Sequence, residues 1–407
     1  MKRKVVVAGG GAAGFFAAIT CAQANKDAEV IILEKTNKLL SKVAVSGGGR
    51  CNVTHACFDL KQLSLSYPRG EKQLKSAFSR FMTTDTVKWF EERGVKLKTE
   101  EDGRMFPTTD NSETIIKCLL KEAKKLKIEI KEQTEVKQIT PRFQGGFELK
   151  LGSGEKMECD KLIVACGGSP KIEGLNWIKE LGHEIIEPVP SLFTFNIQDE
   201  ELANLQGISV NPAKAKILDT KMEFSGPVLI THWGLSGPAI LKLSSYGARI
   251  LAEKDYDFQV QINWMNEKKE EVARLELMNL KAANPSKQIN VLFPFILPKR
   301  LLHYLFEKTG INDKMKWGEI SKEDVNRFVN NLLYDTYHVK GKTPFKEEFV
   351  TCGGIGLDDI DFKTMQSKRC KDIHFAGEIL DIDGITGGFN FQAAWTTGYL
   401  AGLGAAK

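Results

Sequence analysis

The sequence has no C-x-x-C pair. Its eight cysteines, at 21, 51, 57, 118, 159, 166, 352 and 370, follow no regular spacing. That pattern argues against the common zinc and disulfide frameworks. Reduced thiols in a cytoplasmic protein are the expectation, with no metal site. No run of about 18 apolar residues occurs, so no transmembrane helix is expected. Internal repeats and low-complexity tracts are lacking as well. Charge is not strongly one-sided: the net value is +5 and the pI is near 8.6. This permits an anionic partner, such as a phosphate-bearing ligand or RNA, without demanding one.

What is present is core-forming material. The chain has 407 residues, 42% of them hydrophobic, enough for two or three domains. Its start, "MKRKVVVAGGGAAGFFAAITCAQA", has the outline of a signal peptide, but three glycines interrupt the apolar stretch. A strand, a tight turn, a helix and a second strand explain it better. Val5 to Ala8 reads as a strand buried on both faces, Ala12 to Ala24 as a closely packed helix and Glu29 to Glu34 as a second strand. Together they make one βαβ unit.

Residues 72–93 and 112–127 read as helices, with Ser112 as the expected N-cap of the second. Three short strands near 134–140, 146–151 and 155–158 resemble a meander. Residues 190–263 alternate short strand-like pieces with Gly, Pro and Asn, as in a small β-barrel. Residues 266–334 are helical in period, and Ser321 with Asp324 forms a capping-box pattern. The style of the N-terminus returns in "DIHFAGEIL" and "GFNFQAAWTTGYLAGLGA". The fold class expected is α/β: a Rossmann-like domain with an inserted β-barrel plus helical subdomain. Its bounds are 1–189 with 351–407 for the first domain, 190–265 with 335–350 for the barrel, and 266–334 for the helices.

Gly9-x-Gly11-x-x-Gly14 lies between the first strand and the first helix, and Glu34 ends the next strand. In that context the glycines permit a tight turn, close backbone approach to a pyrophosphate, and close packing of helix on strand. The helix N-terminus, including Ala13, offers N–H groups to phosphates. Glu34 is suited to ribose hydroxyls, which favours FAD or NAD over NADP. A second glycine-rich turn, "FAGEILDIDGITGGFNFQAAWTTG", favours FAD. There Gly377 and Glu378 end a strand, with Glu378 placed near a ribityl chain. Gly388, Phe389 and Asn390 open a helix whose N-terminus would face the flavin pyrimidine edge. No flavin-attachment signature is seen, so the FAD is expected to be non-covalent. No second complete G-x-G-x-x-G with an acidic partner is present, so NAD(P)H is expected as a transient reductant.

The segments "GGGAAGFFAAI", "EKTNKLLSKVAVSGGGRCNVTH", "THWGLSGPAIL", "TCGGI" and "GITGGFNFQAAWTTGYLAG" resemble the BaiN/RdsA-type (YhiN-like) flavoproteins of the two-dinucleotide-binding-domain superfamily. The resemblance covers nearly the whole chain. It implies an FAD domain built from both chain ends and an NAD(P)H/FAD-dependent oxidoreductase activity. Activities attributed to the family include reduction of steroid enones and of a uridine in large-subunit ribosomal RNA to dihydrouridine. It also implies that the segment after Glu34 and Lys35 wraps the cofactor. Gly47, Gly48 and Gly49 would lie against it, Arg50 would counter phosphate or substrate charge, and Asn52 would bond the ring edge. Val136 would meet adenine through its backbone, and Cys166, Gly167 and Gly168 match a second phosphate-side turn. The family pattern carries Asn where this chain has His55.

Reduction of a C=C bond needs a hydride at one carbon and a proton at the other. The candidate proton donors are Cys51, then His55 and His232; Cys51 as a packing residue beside FAD is the alternative. Trp233 is a candidate substrate contact, and Cys352 reads as structural. The substrate classes expected are a uracil in ribosomal RNA or a small enone. An FAD-containing amine oxidase and a non-catalytic, FAD-stabilised RNA-binding factor remain as other readings. The segments 67–80 and 297–308 are the candidate RNA surfaces, and nothing resembles an RRM or KH signature.

Overall fold

The computed structural model describes residues 2–341 and 350–407. The end of the expected barrel segment, 342–349, lies outside them. The chain divides into two compact units, Met1–Pro190 with Val350–Lys407, and Ser191–Phe349.

The first unit is built on a seven-stranded sheet. Five of its strands are parallel, in the spatial order Ile373–Phe375, Lys161–Val164, Lys4–Ala8, Glu29–Leu33 and, at one edge, Glu129–Lys131. Val5, Val6, Val7, Ile31, Ile32, Leu162 and Ile163 are all buried. Continuous Val/Ile/Leu runs are what a parallel sheet covered on both faces requires. Two helices, Ala12–Ala24 and Phe389–Ala406, pack against each other through small residues. A β-carbon on Gly402 would stand 2.4 Å from the carbonyl oxygen of Ala17, and one on Gly398 2.6 Å from that of Ala13. Helices packed this closely are apolar on all sides, and both are largely buried.

The meander is present as Val136–Pro141, Phe147–Leu151 and Lys156–Cys159. The helical stretch expected over 72–93 is two helices, Glu71–Phe78 and Thr83–Glu91. They part at Met82, whose N–H donates to the Asp85 carboxylate at 2.8 Å and starts the second helix. Ser112 precedes the helix Glu113–Lys125 but does not cap it with its side chain. Its hydroxyl donates to Ala44 O and its N–H to Gly49 O, both at 2.9 Å, so it is spent on tying the helix to the glycine run.

The second unit is a six-stranded antiparallel sheet in the order Phe195–Asn196, Gly234–Ser236, Glu223–Thr231, Ser209–Ile217, Asp257–Asn263, Asp335–Lys340. Its first and last strands lie side by side, which nearly closes the barrel. Inward Ala213, Ala215 and Ile217 alternate with outward Lys214 and Lys216, the period-2 pattern of a barrel wall. The helices Glu270–Ala283, Lys299–Lys308 and Lys322–Leu333 share one hydrophobic core with the barrel. The capping box of Ser321 and Asp324 is formed. Two helices, Pro238–Tyr246 and Ala248–Glu253, occupy sequence read as short strands; Pro238 at the first helical turn starts the pair.

Candidate cofactor and active site

The site in the first unit forms where the parallel strands end. The turn after Lys4–Ala8 carries Gly9, Gly11 and Gly14. A β-carbon on Gly14 would lie 1.9 Å from Gly9 O, so only glycine lets the helix start this close to the turn. At Gly11 nothing stands within 4 Å of that position. Gly11 is the N-cap of Ala12–Ala24 and brings no side chain to its free N–H groups. Glu34 joins this floor: one carboxylate oxygen accepts from Gly10 N and the other from Thr36 N, each at 2.9 Å. Lys35 is exposed beside it. Val136 opens the meander, paired with Leu151. Cys166 is exposed and Gly167 has open space at its β-position.

The glycine run has an unusual backbone. Gly47, Gly48 and Gly49 have φ of +58°, +69° and +83°, and Cys51 has +63°. Three successive left-handed residues would be strained with any side chain. The run reverses the chain so that Arg50 and Cys51 both donate backbone N–H groups to Ser46 O. It turns Cys51, Asn52 and Thr54 inward, where all three are buried. Arg50 is engaged with protein groups: Nη1 lies 2.6 Å from Glu100 and 3.6 Å from Asp110, and the guanidinium sits 4.0 Å from the centre of the Phe106 ring.

Across from the run lies the start of Phe389–Ala406. Gly388 is its N-cap, with φ +96° and no side-chain cap. A β-carbon there would meet the Thr54 carbonyl at 2.6 Å and Asn52 Oδ1 at 2.8 Å. Asn52 Oδ1 is buried and has no hydrogen-bond partner among the described residues. Phe389 is buried. Asn390 clamps the preceding loop by bonding both the N–H and the C=O of Gly384 at 2.9 Å. His55 stands at the same helix start. Gly387 O can only accept, so the 3.0 Å contact places the proton on His55 Nδ1. Its Nε2 faces Gly103, where a β-carbon would be 2.5 Å away.

Cys51 is fully buried. Burial pushes its thiol up to about 12, partly opposed by a hydrogen bond with Ser46. Gly377 is held through its N–H by Thr397 Oγ1 at 2.9 Å. Glu378 accepts from Thr351 N at 2.8 Å and pairs with Lys42 Nζ at 2.5 Å. His232 belongs to the other unit, exposed in a turn with its ring 4.4 Å from that of Trp233. Cys352 is buried in the strand Val350–Ile355.

Several supports were missed by sequence reading. Tyr67 OH donates to Phe389 O at 2.6 Å. Arg69 forms a two-pronged ion pair with fully buried Asp383. Ile385 N–H donates to Ser66 O at 2.9 Å. Thr54 Oγ1 donates to Gln392 Oε1 at 2.6 Å. Nothing local in "SYPRG" or around Thr54 signals these bonds, because every partner is supplied by the far end of the chain.

The residues fit FAD on two structural observations. Open space at Gly11 lies before an uncapped helix N-terminus, as a pyrophosphate requires. A buried, unpartnered carboxamide oxygen lies before a second uncapped helix N-terminus, as the hydrogen-bonding edge of a flavin ring requires. Fold and site thus define a flavoprotein oxidoreductase, FAD-dependent and built on a Rossmann core with an inserted barrel. More narrowly, the chain belongs to the HI0933-like family, whose Rossmann-domain description matches residues 3–404.

Among curated relatives, the ribosomal RNA dihydrouridine synthase of Haemophilus influenzae is 31% identical over 98% of this chain and 97% of its own length. The Escherichia coli protein of the same name is 27% identical over 97% and 96%. The 3-dehydro-bile acid delta(4,6)-reductase of Clostridium scindens is 26% identical over 99% of both chains. Among solved structures, the 3-ketosteroid-delta4-(5alpha)-dehydrogenase of Rhodococcus jostii RHA1 superposes with a TM-score of 0.51. It is 14% identical, covering 100% of this chain and 97% of that one, and speaks for the fold alone. Among the described residues, no helix is long and apolar enough to cross a membrane.

Proposed function

We propose that this chain is an FAD-dependent reductase of an activated C=C bond, and that its substrate is a uracil in large-subunit ribosomal RNA. The observation that carries the reading is the 31% identity to a ribosomal RNA dihydrouridine synthase over nearly the full length of both chains. The chemistry FAD supplies when bound is hydride delivery to an electron-poor carbon, after reduction by NAD(P)H as the transient donor. FAD is held without a covalent bond.

The residues supply binding and proton control. Gly11, Ala13 and Gly14 present N–H groups to the pyrophosphate, Gly9 makes the turn that places them with its own N–H on Leu33 O, and Glu34 faces ribose. Gly388 and the first turn after it set N–H dipoles where negative charge gathers on the cofactor ring. Asn52 Oδ1 accepts a hydrogen bond from that ring. His55, with its Nδ1 proton fixed by Gly387, is a proton-source candidate beside Cys51. Cys51 also holds its proton at neutral pH, being pushed up to about 12.

Mass spectrometry of large-subunit ribosomal RNA nucleosides, with and without this gene in the native organism, tests the reading. The expected result is loss of one dihydrouridine on deletion and its return on complementation. Unchanged dihydrouridine would move the activity to small enones, the reading favoured by the 26% identity to the bile acid reductase over both full chains.

A further inference from the structure

We infer that the outward face of the helix Glu113–Lys125 is a docking track for the RNA phosphate backbone, an inference that rests on the reading of this chain as a ribosomal RNA reductase. In the basic segments singled out in the sequence the arginines are committed elsewhere, while Lys72, Lys75 and Lys299 are exposed. Arg69 is paired with Asp383, and Arg80 donates to Lys363 O. Arg300 donates to Asn204 O, His303 bonds Asp313 at 2.9 Å, and Lys308 pairs with buried Asp335 at 2.6 Å.

The helix Glu113–Lys125 differs. Lys117, Lys121 and Lys124 are exposed and have no ion-pair or hydrogen-bond partner among the described residues. Spaced i, i+4 and i+7, they form one stripe along the helix. Lys127 is exposed just beyond its end. The opposite face buries Ile115, Ile116, Cys118, Leu119 and Ala123. Glu122 points inward to Arg93 at 3.3 Å and to Lys125 at 3.8 Å, and exposed Glu113, one turn before Lys117 at the start of the stripe, is not ion-paired to it among the described residues.

Two observations favour RNA over a protein partner. None of the exposed large apolar side chains lies on this helix, whereas protein interfaces need an apolar centre. The helix is also fastened to the candidate site by Ser112, through Gly49 O and Ala44 O. Lys117 to Lys124 spans about 10 Å of helix, about three nucleotide steps of a duplex strand at about 3.4 Å each. A strand on this track would therefore run alongside the glycine run.

The test compares wild type, the triple variant Lys117→Gln/Lys121→Gln/Lys124→Gln, and a control triple of exposed lysines outside every candidate RNA segment, Lys221→Gln/Lys254→Gln/Lys287→Gln. Each is titrated with an unmodified transcript of the native large-subunit ribosomal RNA across a salt series, and each is used to complement the deletion strain. The expected result is a fall of about 2 to 3 in the log K against log salt slope for the first triple. Bound flavin and its rate of reduction stay unchanged, and the control keeps most of its slope. An unchanged slope, or an equal fall in the control, overturns the docking track. Full restoration of dihydrouridine by the first triple also overturns the track and leaves the reductase reading standing. If deletion leaves dihydrouridine unchanged while the slope still falls as expected, the reductase reading fails and the RNA track stands.

Discussion

The imidazole of His55 stacks on the ring of Phe389, with centroids 4.5 Å apart and planes 24° apart, while its Nδ1 bonds Gly387 at 3.0 Å. Ring orientation and tautomer are therefore both fixed by the loop that opens the terminal helix. Replacing His55 with Gln is expected to slow the oxidative half-reaction by about 10²- to 10⁴-fold, the span of a lost general acid. Reduction of the bound flavin by NAD(P)H should be little changed. Stopped-flow absorbance of the two half-reactions separates these effects, and equal slowing of both would assign His55 to cofactor binding.

Gly388 is expected to tolerate no side chain. Its φ of +96° and the 2.6 Å approach to the Thr54 carbonyl both oppose a β-carbon. Gly388→Ala should cost about 1–3 kcal/mol of stability and lower the flavin bound per chain. Thermal unfolding and the visible flavin absorbance of the purified variant check both.

Asp383→Asn should be among the most disruptive isosteric changes. The Asp383 side chain is wholly buried, and that of Arg69 is 15% exposed. Removing one charge strands the other, at a cost of about 3 kcal/mol or more. Denaturant unfolding measures the loss. Arg69→Met in the same background should recover part of it, because the stranded charge is then gone.

The buried thiols give stability a pH dependence with a definite sign. Cys21, Cys51 and Cys159 are each pushed up to about 12 by burial, against an ordinary 9.0. Between those values the folded chain binds more protons than the unfolded one. Stability is thus fully present below pH 9 and falls as pH rises toward 12. Cys51→Ala should flatten that fall. Denaturant midpoints from pH 8 to pH 11 for both proteins provide the check, and slow alkylation of Cys51 at pH 8 should accompany it.

Much of the fold was legible because its signals are local. The runs Val5–Ala8 and Glu29–Leu33 and the turn between strand and helix declare a dinucleotide fold within about 30 residues. The capping box at Ser321 is equally local. What was not legible depends on partners far along the chain. Arg69 and Asp383 are 314 positions apart, Tyr67 and Phe389 322, and neither pair has a spacing rule. Ser112 looked like a cap, yet its hydroxyl is used on Ala44. The glycine run is visible in the sequence; that it buries Cys51 and Asn52 needed the left-handed φ values. Basic segments were judged by composition, whereas the structure shows which cations are already engaged.

The most direct measurement is an anaerobic single turnover. Purified protein, reduced with one equivalent of NAD(P)H, is mixed with an unmodified transcript of the native large-subunit ribosomal RNA, and flavin absorbance and dihydrouridine are followed together. The account predicts that flavin reoxidation depends on the RNA and yields one dihydrouridine per flavin reoxidised. Reduced flavin that persists in the presence of that RNA, or a purified chain that binds no flavin, would contradict it.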